Sequence, residues 1–578
     1  MRSSALFLAL FASLCALADS FNAGDYTRSQ ELHTDFKIYW RIDGTTMKMA
    51  LETTASGWVG FGLAEMGRMP GADIVYYETS TNTLTDAYAL GFTTPVSDSC
   101  QSWALVAAET VGGKMRVEMS RPLTNEDPSD RNFVDDSAWP LEPTKVIGAW
   151  GNTAAMQYHG ASSRVQTSVR FFGSGGADPI ASLNANAAAS DFMSFLLRPS
   201  SASNGGSSYT LPAQKTDYKY FTYPLATALG VSNASAASAV HMVAAEAVVT
   251  SGNAAYVHHF VLEACTGSAC DNNGQCDKLW AWAPGAPDFV LPAAAGIRLL
   301  GAGYNCLRIQ THYDNPALSS TITDDSGIRI YATKAGAALR GQDAGMVVMG
   351  DELVVEGLTL PAGYSSTEFQ SGTCTSLFAD SEVTVFAELL HMHAHGKAML
   401  AQVERGGQVV RSARVDYYDF DAAGIFTNPS VGAGFKLQKG DVYRVKCFYD
   451  TQQQTNIVFG LGSEDEMCMS FLSYYPKQGG LSVADCSPNR DKSIQATTGA
   501  SFVGGSYATV ASLVGFGRVF ADQSASFTCP PLPVLQQPTT TSAPPTTTPQ
   551  PGMGSAVRMG AARWLTTAGA LLAIVCAR

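Results

Sequence analysis

The chain has 578 residues, of which 46% are hydrophobic, 15% charged and 10% aromatic. This length is enough for several domains with cores of their own, and the low charge argues against disorder or coiled coil over most of the chain. The net charge of −13 (37 Lys and Arg against 50 Asp and Glu) repels nucleic acid and anionic lipid, which disfavours a nucleic-acid-binding protein. The twelve cysteines form no CxxC pair, so a zinc ribbon is not indicated.

The chain begins with a short apolar stretch. Residues 1–18 contain one Arg, an apolar run from Ala5 to Ala16 and a small-residue exit at Ala16-Leu17-Ala18. This pattern predicts a secretory signal peptide cleaved before Asp19, and therefore a protein outside the cell or on its surface. Disulfides are expected in that oxidising environment. Asn233 lies in the single acceptable glycosylation sequon and is a predicted glycosylation site.

Short alternating or aromatic runs, separated by Gly, Asn and Pro, follow between residues 26 and 172. They predict an antiparallel β-sandwich. The expected strands are Phe36–Ile42, Trp58–Leu63, Ala72–Tyr77, Trp103–Ala107, Met115–Met119 and Val146–Trp150. Residues 173–208 are rich in Gly, Ser, Ala and Asn, which predicts a flexible linker with a short helix around Phe192–Leu197.

Strand patterns also dominate residues 209–527, where helical periodicity is scarce. The span is long for one sandwich and divides near Thr333–Arg340, which predicts two tandem antiparallel β-sandwich (jelly-roll-like) domains, 209–338 and 339–527. The expected strands are Ala239–Val249, Tyr256–Leu262, Cys306–Tyr313, Gly327–Tyr331, Glu382–Leu390, Met399–Val403 and Asp441–Phe448. The predicted fold class is therefore all-β.

The C-terminal part has the composition of a surface anchor. Residues 530–553 form a Pro/Thr tract that predicts an extended, O-glycosylated stalk. Residues 554–578 contain small residues, a spacer and an apolar run from Trp564 to Ala577 that is short for a spanning helix. This layout is typical of a GPI-attachment signal, with a short transmembrane anchor as the alternative. Without both ends, ten cysteines remain, enough for five disulfides.

Six of the nine histidines form three clusters: His258-His259, His312 and His391-x-His393-x-His395. Residues at i, i+2 and i+4 of a strand project from one face about 6–7 Å apart, so their imidazoles can converge on one metal ion. The first two clusters supply three nitrogens, enough for another site. With no HExxH motif and no spare thiolates, imidazoles favour copper or zinc. A thioether would favour copper, and Met467 is the candidate.

Five motifs between residues 209 and 527 resemble those of a known family in order and spacing. They are His258-His259-Phe260, Thr311-His312-Tyr313-Asp314-Asn315-Pro316, His391-Met392-His393, Gly440-Asp441-Val442 with Cys447, and Glu466-Met467-Cys468 with Tyr474-Tyr475-Pro476. The family is that of the copper type II, ascorbate-dependent monooxygenases. The N-terminal region resembles a DOMON domain in Gly57–Gly62, Met69–Ile74, Asp86-Ala87 and Tyr158-His159-Gly160 with Arg164. A DOMON domain in this place is typical of the dopamine β-monooxygenase and DBH-like branch.

The resemblance implies two separated copper ions per chain, one in each β-domain, with ascorbate as reductant and O2 as co-substrate. The implied ligands of the electron-transfer copper are His258, His259 and His312. The implied ligands of the copper that binds dioxygen and hydroxylates the substrate are His391, His393 and Met467. His395 is not part of the family motif, and is either a hydrogen-bond partner of the ligands or an exposed residue.

Further expectations concern haem and disulfides. Met69 and His159 stand where some DOMON domains bind haem b, so a haem is one expectation and a haem-free docking domain the other. The resemblance implies the disulfides Cys447–Cys468 and Cys374–Cys486. The remaining pairings stay open: Cys265 with Cys270 or Cys276, Cys100 with Cys529, and Cys306 without an assigned partner.

The chain departs from the peptide-amidating branch of this family. Leu389 replaces the Arg that binds the substrate carboxylate there, and Met469 and Phe471 replace polar residues, so amidation is disfavoured. The expected function is a copper- and ascorbate-dependent monooxygenase that hydroxylates an activated C–H bond of a small amine or phenolic molecule with O2. The acidic charge would suit a cationic amine. The alternative is a non-catalytic, surface-tethered protein that binds copper or haem or acts in adhesion.

Overall fold

The computed structural model describes most residues between 21 and 497. The described ranges are 21–124, 127, 129–135, 143–160, 162–172, 180, 183, 191–232, 238–266, 276–284, 286, 288–351, 359–370, 382–420, 434–452, 455–460, 464–478 and 493–497. All of them lie in one compact unit. The predicted signal peptide, stalk and anchor, the sequon at Asn233 and the Cys374–Cys486 pair lie outside these ranges.

Strands are almost the only regular secondary structure among the described residues, which confirms the all-β prediction. The helical turns among them are short: the 3₁₀ turns Ala23–Asp25 and Pro199–Ser201 and the α-helix Leu225–Ala228. Within the described ranges, no helix has the length and apolar character needed to cross a membrane.

The N-terminal domain is a sandwich of two antiparallel sheets. One sheet has the order β1-β2-β3-β9-β8, with β1 Arg28–His33, β2 Phe36–Asp43, β3 Thr46–Thr53, β8 Ala104–Val111 and β9 Lys114–Pro122. The other has the order β11-β10-β4-β5-β6-β7, with β4 Trp58–Leu63, β5 Asp73–Glu78, β6 Thr83–Tyr88, β7 Val96–Ser97, β10 Thr144–Gly151 and β11 Arg164–Val169. Alternate residues of β2, namely Phe36, Ile38 and Trp40, point into the core, where Phe36 stacks on Trp150.

The middle domain is built from two larger sheets and a short strand pair. Its strands are β12 Phe192–Leu197, β13 Tyr209–Thr210, β14 Thr216–Pro224, β15 Val240–Val248, β16 Val257–Cys265, β17 Cys276–Trp282, β18 Phe289–Val290, β19 Ala295–Leu300, β20 Cys306–Asp314, β21 Thr323–Asp324, β22 Gly327–Thr333 and β23 Gln342–Asp343. The larger sheets have the orders β12-β22-β15-β19-β23, with β18 beside β15, and β14-β20-β16-β17. All pairings are antiparallel except that of β19 with β23.

The C-terminal domain repeats this layout. Its strands are β24 Gly345–Asp351, β25 Thr359–Leu360, β26 Tyr364–Gln370, β27 Val383–His391, β28 Gly396–Arg405, β29 Gln408–Val415, β30 Phe435–Leu437, β31 Val442–Thr451, β32 Ile457–Val458, β33 Cys468–Tyr475 and β34 Ser493–Thr497. The sheet orders are β24-β33-β27-β30 and β29-β28-β31-β26-β34, with β25 paired to β32. Each strand named from the sequence has an observed counterpart within a few residues.

One local expectation was wrong. Phe192–Leu197, predicted as a short helix within the linker, is the strand β12. It pairs along its whole length with Gly327–Thr333, so it belongs to a sheet of the middle domain. The six residues include two Phe, a Met and two Leu, and an edge position in an existing sheet offers them backbone partners that an isolated helix of this length lacks.

The N-terminal domain contacts the C-terminal domain through residues 65–71, here called the docking loop. The Glu65 carboxylate accepts hydrogen bonds from the backbone N–H groups of Asp416 and Tyr417, at 3.2 and 3.0 Å. Arg68 donates from Nη1 to Asp419 Oδ1 at 2.9 Å. Met66, only 1% exposed, packs in the core of the C-terminal domain. The two domains therefore share apolar contacts as well as charged ones.

Asp416 makes this contact sensitive to pH. Burial and the neighbouring Glu65 carboxylate raise the pKa of Asp416 to about 7, although Arg414 and Arg131 oppose the shift. The folded-state pKa of Asp416 lies above the unfolded value, so the protonated carboxyl group contributes to the stability of the fold. This contribution is complete only below the unfolded pKa and is lost as the pH rises through about 7.

We therefore expect the free energy of unfolding to fall between pH 5 and 7 by up to about 1.4 kcal/mol per pH unit more than in Asp416→Asn. Urea titrations of both proteins at several pH values measure this difference. Parallel pH dependences in the two proteins would contradict it.

Candidate metal centres

The first histidine cluster is formed where β16 and β20 pair. His259 lies directly opposite His312 in this antiparallel pair, and the register shifts between Val257 and His259. Neighbouring residues of a regular strand point to opposite faces, but an irregularity at His258 lets both histidines of the pair reach the same side. The register shift therefore allows the adjacent residues His258 and His259 to share one site.

The imidazole nitrogens of this cluster converge. Nδ1 of His259 lies 3.2 Å from Nδ1 of His258 and 3.4 Å from Nδ1 of His312. One ligand nitrogen from each of the three residues lies within 4.8 Å of the others. Imidazole nitrogens bound tetrahedrally at about 2.0–2.1 Å would be about 3.3–3.4 Å apart. The donor set therefore fits a single metal ion.

The surroundings keep His259 and His312 neutral, the form that binds metals. Desolvation, followed by the effect of neighbouring imidazoles, holds the pKa of His259 and of His312 far below the ordinary value. The ring of Tyr218 stacks on His312 with 4.2 Å between centroids and an 8° angle between planes. A hydrogen bond between His259 and Gln310 opposes the shift of the His259 pKa. Tyr218 and Gln310 were not among the residues singled out from the sequence.

The second cluster lies at the end of β27. The rings of His391 and His393 are 5.1 Å apart between centroids and nearly perpendicular. His391 pairs with Met469 of β33, and continuing this antiparallel register by two residues would place Met467 opposite His393. Met467 is partly buried and packs against the apolar cluster that holds Met469. Two imidazoles and a thioether are thus brought to one end of this strand pair.

Hydrogen bonds fix the orientation of His393. Its Nδ1 lies 3.1 Å from the backbone carbonyl of Asp465 and donates to it, which leaves Nε2 for a metal. The fully buried Glu466 accepts from the backbone N–H groups of His393 and Met467 with Oε2, and from that of His395 with Oε1. Burial raises the pKa of Glu466 to about 8 even though these three hydrogen bonds oppose the shift.

Glu466 thus connects both sides of the second cluster. This role was not predicted from the sequence, although Glu466 stands in the same motif as Met467. The backbone of His395 takes part in the same network. Burial also lowers the pKa of the His395 side chain.

Disulfides support both clusters. Cys447 of β31 is bonded to Cys468, which directly follows Met467. Cys265 is bonded to Cys276, at the ends of the adjacent strands β16 and β17, and this selects one of the two pairings left open. Cys100 and Cys306 are disulfide-bonded as well.

The two clusters face each other across one aromatic side chain. The ring of Phe420 lies 4.3 Å from that of His258 and 5.7 Å from that of His393, measured between centroids. Charge on His391 or His393 would lower the pKa of His312. One phenyl ring thus contacts both clusters, although each cluster lies in a different domain, because the sheet faces that carry them pack against each other.

Apolar side chains surround His391. Leu389, Met469 and Phe471 are at most 8% exposed and belong to the apolar cluster between the middle and C-terminal domains. The Phe471 ring lies 6.2 Å from that of His391 in an edge-on arrangement. Position 389 is Leu, so the Arg side chain that would bind a substrate carboxylate there is absent. The immediate surroundings of His391 are therefore apolar.

The candidate haem ligands lie in the N-terminal domain. Met69 packs against a small cluster of Ala64, Ala72, Ile74 and Ala89. His159 has Nδ1 2.6 Å from the carbonyl oxygen of Gly160, an arrangement in which Nε2 is the nitrogen left for iron. Haem binding by these residues stays a prediction.

Two other groups of potential ligands have structural explanations. Glu263, Cys265 and Cys276 lie together, but the cysteines are joined in a disulfide. The carboxylates of Asp73, Asp86 and Asp130 also lie together in the N-terminal domain, next to the buried Arg121, which donates to Asp73 at 2.8 Å. The guanidinium compensates part of their charge.

Comparison with known families matches three parts of the chain. The DOMON domain matches residues 32–141. The N-terminal and C-terminal domains of the copper type II ascorbate-dependent monooxygenases match residues 207–320 and 342–497.

Named proteins similar to this chain include dopamine beta-hydroxylases and a DBH-like monooxygenase. Dopamine beta-hydroxylase of Rattus norvegicus is 27% identical over 72% of this chain and 66% of its own length. Dopamine beta-hydroxylase of Equus caballus is 33% identical over 41% and 42%, and DBH-like monooxygenase protein 1 of Homo sapiens is 26% identical over 76% and 71%. The chain thus spans less than two thirds of the length of either dopamine beta-hydroxylase.

Proposed function

The chain belongs to the copper type II ascorbate-dependent monooxygenase family and carries a DOMON domain, and from this premise we propose that it hydroxylates an activated C–H bond of a small aromatic amine or phenol. The observation that carries the proposal is the convergence of three Nδ1 atoms in the first cluster, beside a second cluster of two imidazoles and Met467. In the reaction one oxygen atom of O2 enters the C–H bond, the other leaves as water, and ascorbate supplies two electrons and two protons.

Copper, when bound, supplies the one-electron chemistry that connects ascorbate to O2. The protein's own contribution is to hold the donors. We assign His258, His259 and His312 to the electron-transfer ion, and His391, His393 and Met467 to the ion at which O2 reacts. Burial keeps the imidazoles of His259, His312 and His391 unprotonated. The Asp465 carbonyl fixes the ring orientation of His393. A thioether ligand favours the reduced state of copper.

The proposed substrate follows from the side chains next to His391. Leu389, Met469 and Phe471 offer an apolar surface for an aromatic ring, and the position of the amidating Arg is Leu. The acidic net charge of the chain would attract a cationic amine. The relatives named dopamine beta-hydroxylase support the amine class for the proposal.

Substrate-dependent O2 consumption by the full-length, copper-loaded protein tests the function. With ascorbate present, we expect uptake with a member of a panel of phenethylamines and phenols, and one atom of ¹⁸O from labelled O2 in the product. Carboxylate-terminated peptides serve as the comparison and should not react. Two coppers per chain without O2 uptake across the panel would contradict the enzyme and favour the non-catalytic copper-binding alternative. A haem absorption band that ascorbate reduces would extend that alternative to a protein that binds both copper and haem.

We also propose that the protein is secreted and held on the outer cell surface by its C-terminal tail. The signal-peptide pattern, the stalk composition and the short apolar tail support this placement. The disulfides of the folded domains fit an oxidising compartment. Release from cells by phosphatidylinositol-specific phospholipase C is the expected result. Retention after this treatment would favour the transmembrane alternative.

A further inference from the structure

The segment Asp416–Phe420, here called the bridge segment, directly follows β29 and contacts both the N-terminal domain and the histidine clusters. At its start, the backbone N–H groups of Asp416 and Tyr417 donate to the Glu65 carboxylate. Near its end, Asp419 accepts from Arg68, in a pair whose side chains are 12% and 26% exposed. The N-terminal domain therefore holds this segment at two points.

The docking loop also fits closely against the bridge segment. Gly71 has a φ of +70°, and a Cβ atom added there would lie 2.5 Å from the ring of Tyr417. Met66 packs in the same apolar core as Met392 and Tyr418. Close packing of this kind transmits a displacement instead of absorbing it.

The other side of the bridge segment is bound to the strand that carries the second cluster. The Tyr418 hydroxyl donates to the carbonyl of Met392 at 2.7 Å and accepts from its N–H at 3.0 Å. Met392 is the residue between His391 and His393. Two residues after Tyr418, Phe420 contacts His258 of the first cluster and His393 of the second.

We propose that Phe420 is a positioning residue that sets the separation of the two histidine clusters, and that the docking loop of the N-terminal domain holds it in place. This proposal rests on the proposed function for its catalytic meaning. It gives the DOMON domain a role that needs no haem: the domain acts through Arg68 and Glu65 on the bridge segment, and through that segment on the distance an electron must cross.

The first measurement is the Cu(II)–Cu(II) dipolar coupling in EPR spectra of the full-length protein, because this coupling falls with the inverse cube of the separation. The variants are Arg68→Asp, Asp419→Arg and the double charge exchange. We expect either single variant to weaken and broaden the coupling, and the double exchange to restore it. Phe420→Ala should change the coupling with both coppers still bound, and Phe420→Leu should change it less.

The matched control is Lys48→Asp, a charge reversal in an exposed pair with Asp43 on the same domain but away from the docking loop. It should leave the coupling unchanged. Single variants at Arg68 and Asp419 that keep the wild-type coupling would overturn the proposal.

Amide hydrogen exchange of residues 388–395 and 416–420 gives a readout that needs no copper. In Arg68→Asp we expect exchange at Met392 and His393 to accelerate at least about tenfold, and the charge exchange to restore protection. If the protein binds no copper, the proposed function fails, and this measurement still decides whether the docking loop orders the cluster. Unchanged exchange in both single variants would overturn the proposal by itself.

Discussion

Met467→Ile should lower ascorbate- and O2-dependent hydroxylation at least about a hundredfold. Loss of a partner that merely orients a metal ligand costs roughly 10–100-fold, and here the thioether itself is removed. Isoleucine nearly conserves the volume of a partly buried side chain, so the fold should survive. Product formation and copper per chain are the measurements. Copper at the first cluster should persist, because its donors lie on other strands.

Met399→Ile is the matched control, since Met399 is fully buried in the core of the same domain and takes no part in the site. It should cost less than about 1.5 kcal/mol in stability and leave turnover unchanged. Full turnover in Met467→Ile would rule out the proposed role of the thioether.

Glu466→Ala should destabilise the second cluster by about 3 kcal/mol, since it leaves three buried or part-buried N–H groups without their acceptor at roughly 1 kcal/mol each. The donors are the backbone groups of His393, His395 and Met467. Hydrogen exchange of these amides should accelerate by about two orders of magnitude. Copper occupancy of the second cluster should also fall in Glu466→Ala, while the first cluster keeps its metal.

Glu464→Gln is the control, because it changes the same segment but leaves Glu466 and its three hydrogen bonds in place. Glu464 is exposed and pairs with Lys215 at the surface, so its replacement should change stability by less than about 0.5 kcal/mol. Comparable losses in the two variants would show that the segment is merely sensitive to charge, and that the carboxylate of Glu466 has no special role.

The strands were predictable because their pattern is local. Alternation in β2 and the apolar runs of β27 and β31 follow from which side chains must leave water, and each has its observed counterpart. The error at Phe192–Leu197 has a non-local cause. Its partner strand Gly327–Thr333 lies more than a hundred residues later in the chain, and no local sequence pattern predicts that pairing.

The same distinction applies to the site. The spacing of His391 and His393, and the adjacency of His258 and His259, indicate shared sites. The irregularity that lets His258 and His259 reach the same side, however, arises from the pairing of β16 with β20. Phe420 carries no signal at all: it is one of 27 phenylalanines, and its contacts are with residues far away in the chain. Glu466 stands beside Met467, yet its role depends on three N–H groups that only the fold brings together.

The insertion of Met66 into the core of another domain bears on how this chain could be divided. Domain boundaries read from family likeness suggest that the segment from the middle domain onward could exist by itself. A chain shortened in that way would expose the apolar surface around Met392 and Tyr418 that Met66 now covers. Transfer of the middle and C-terminal domains to another protein would therefore need a replacement for that methionine, so the unit that can be exchanged between proteins is larger than the two domains that carry the histidine clusters.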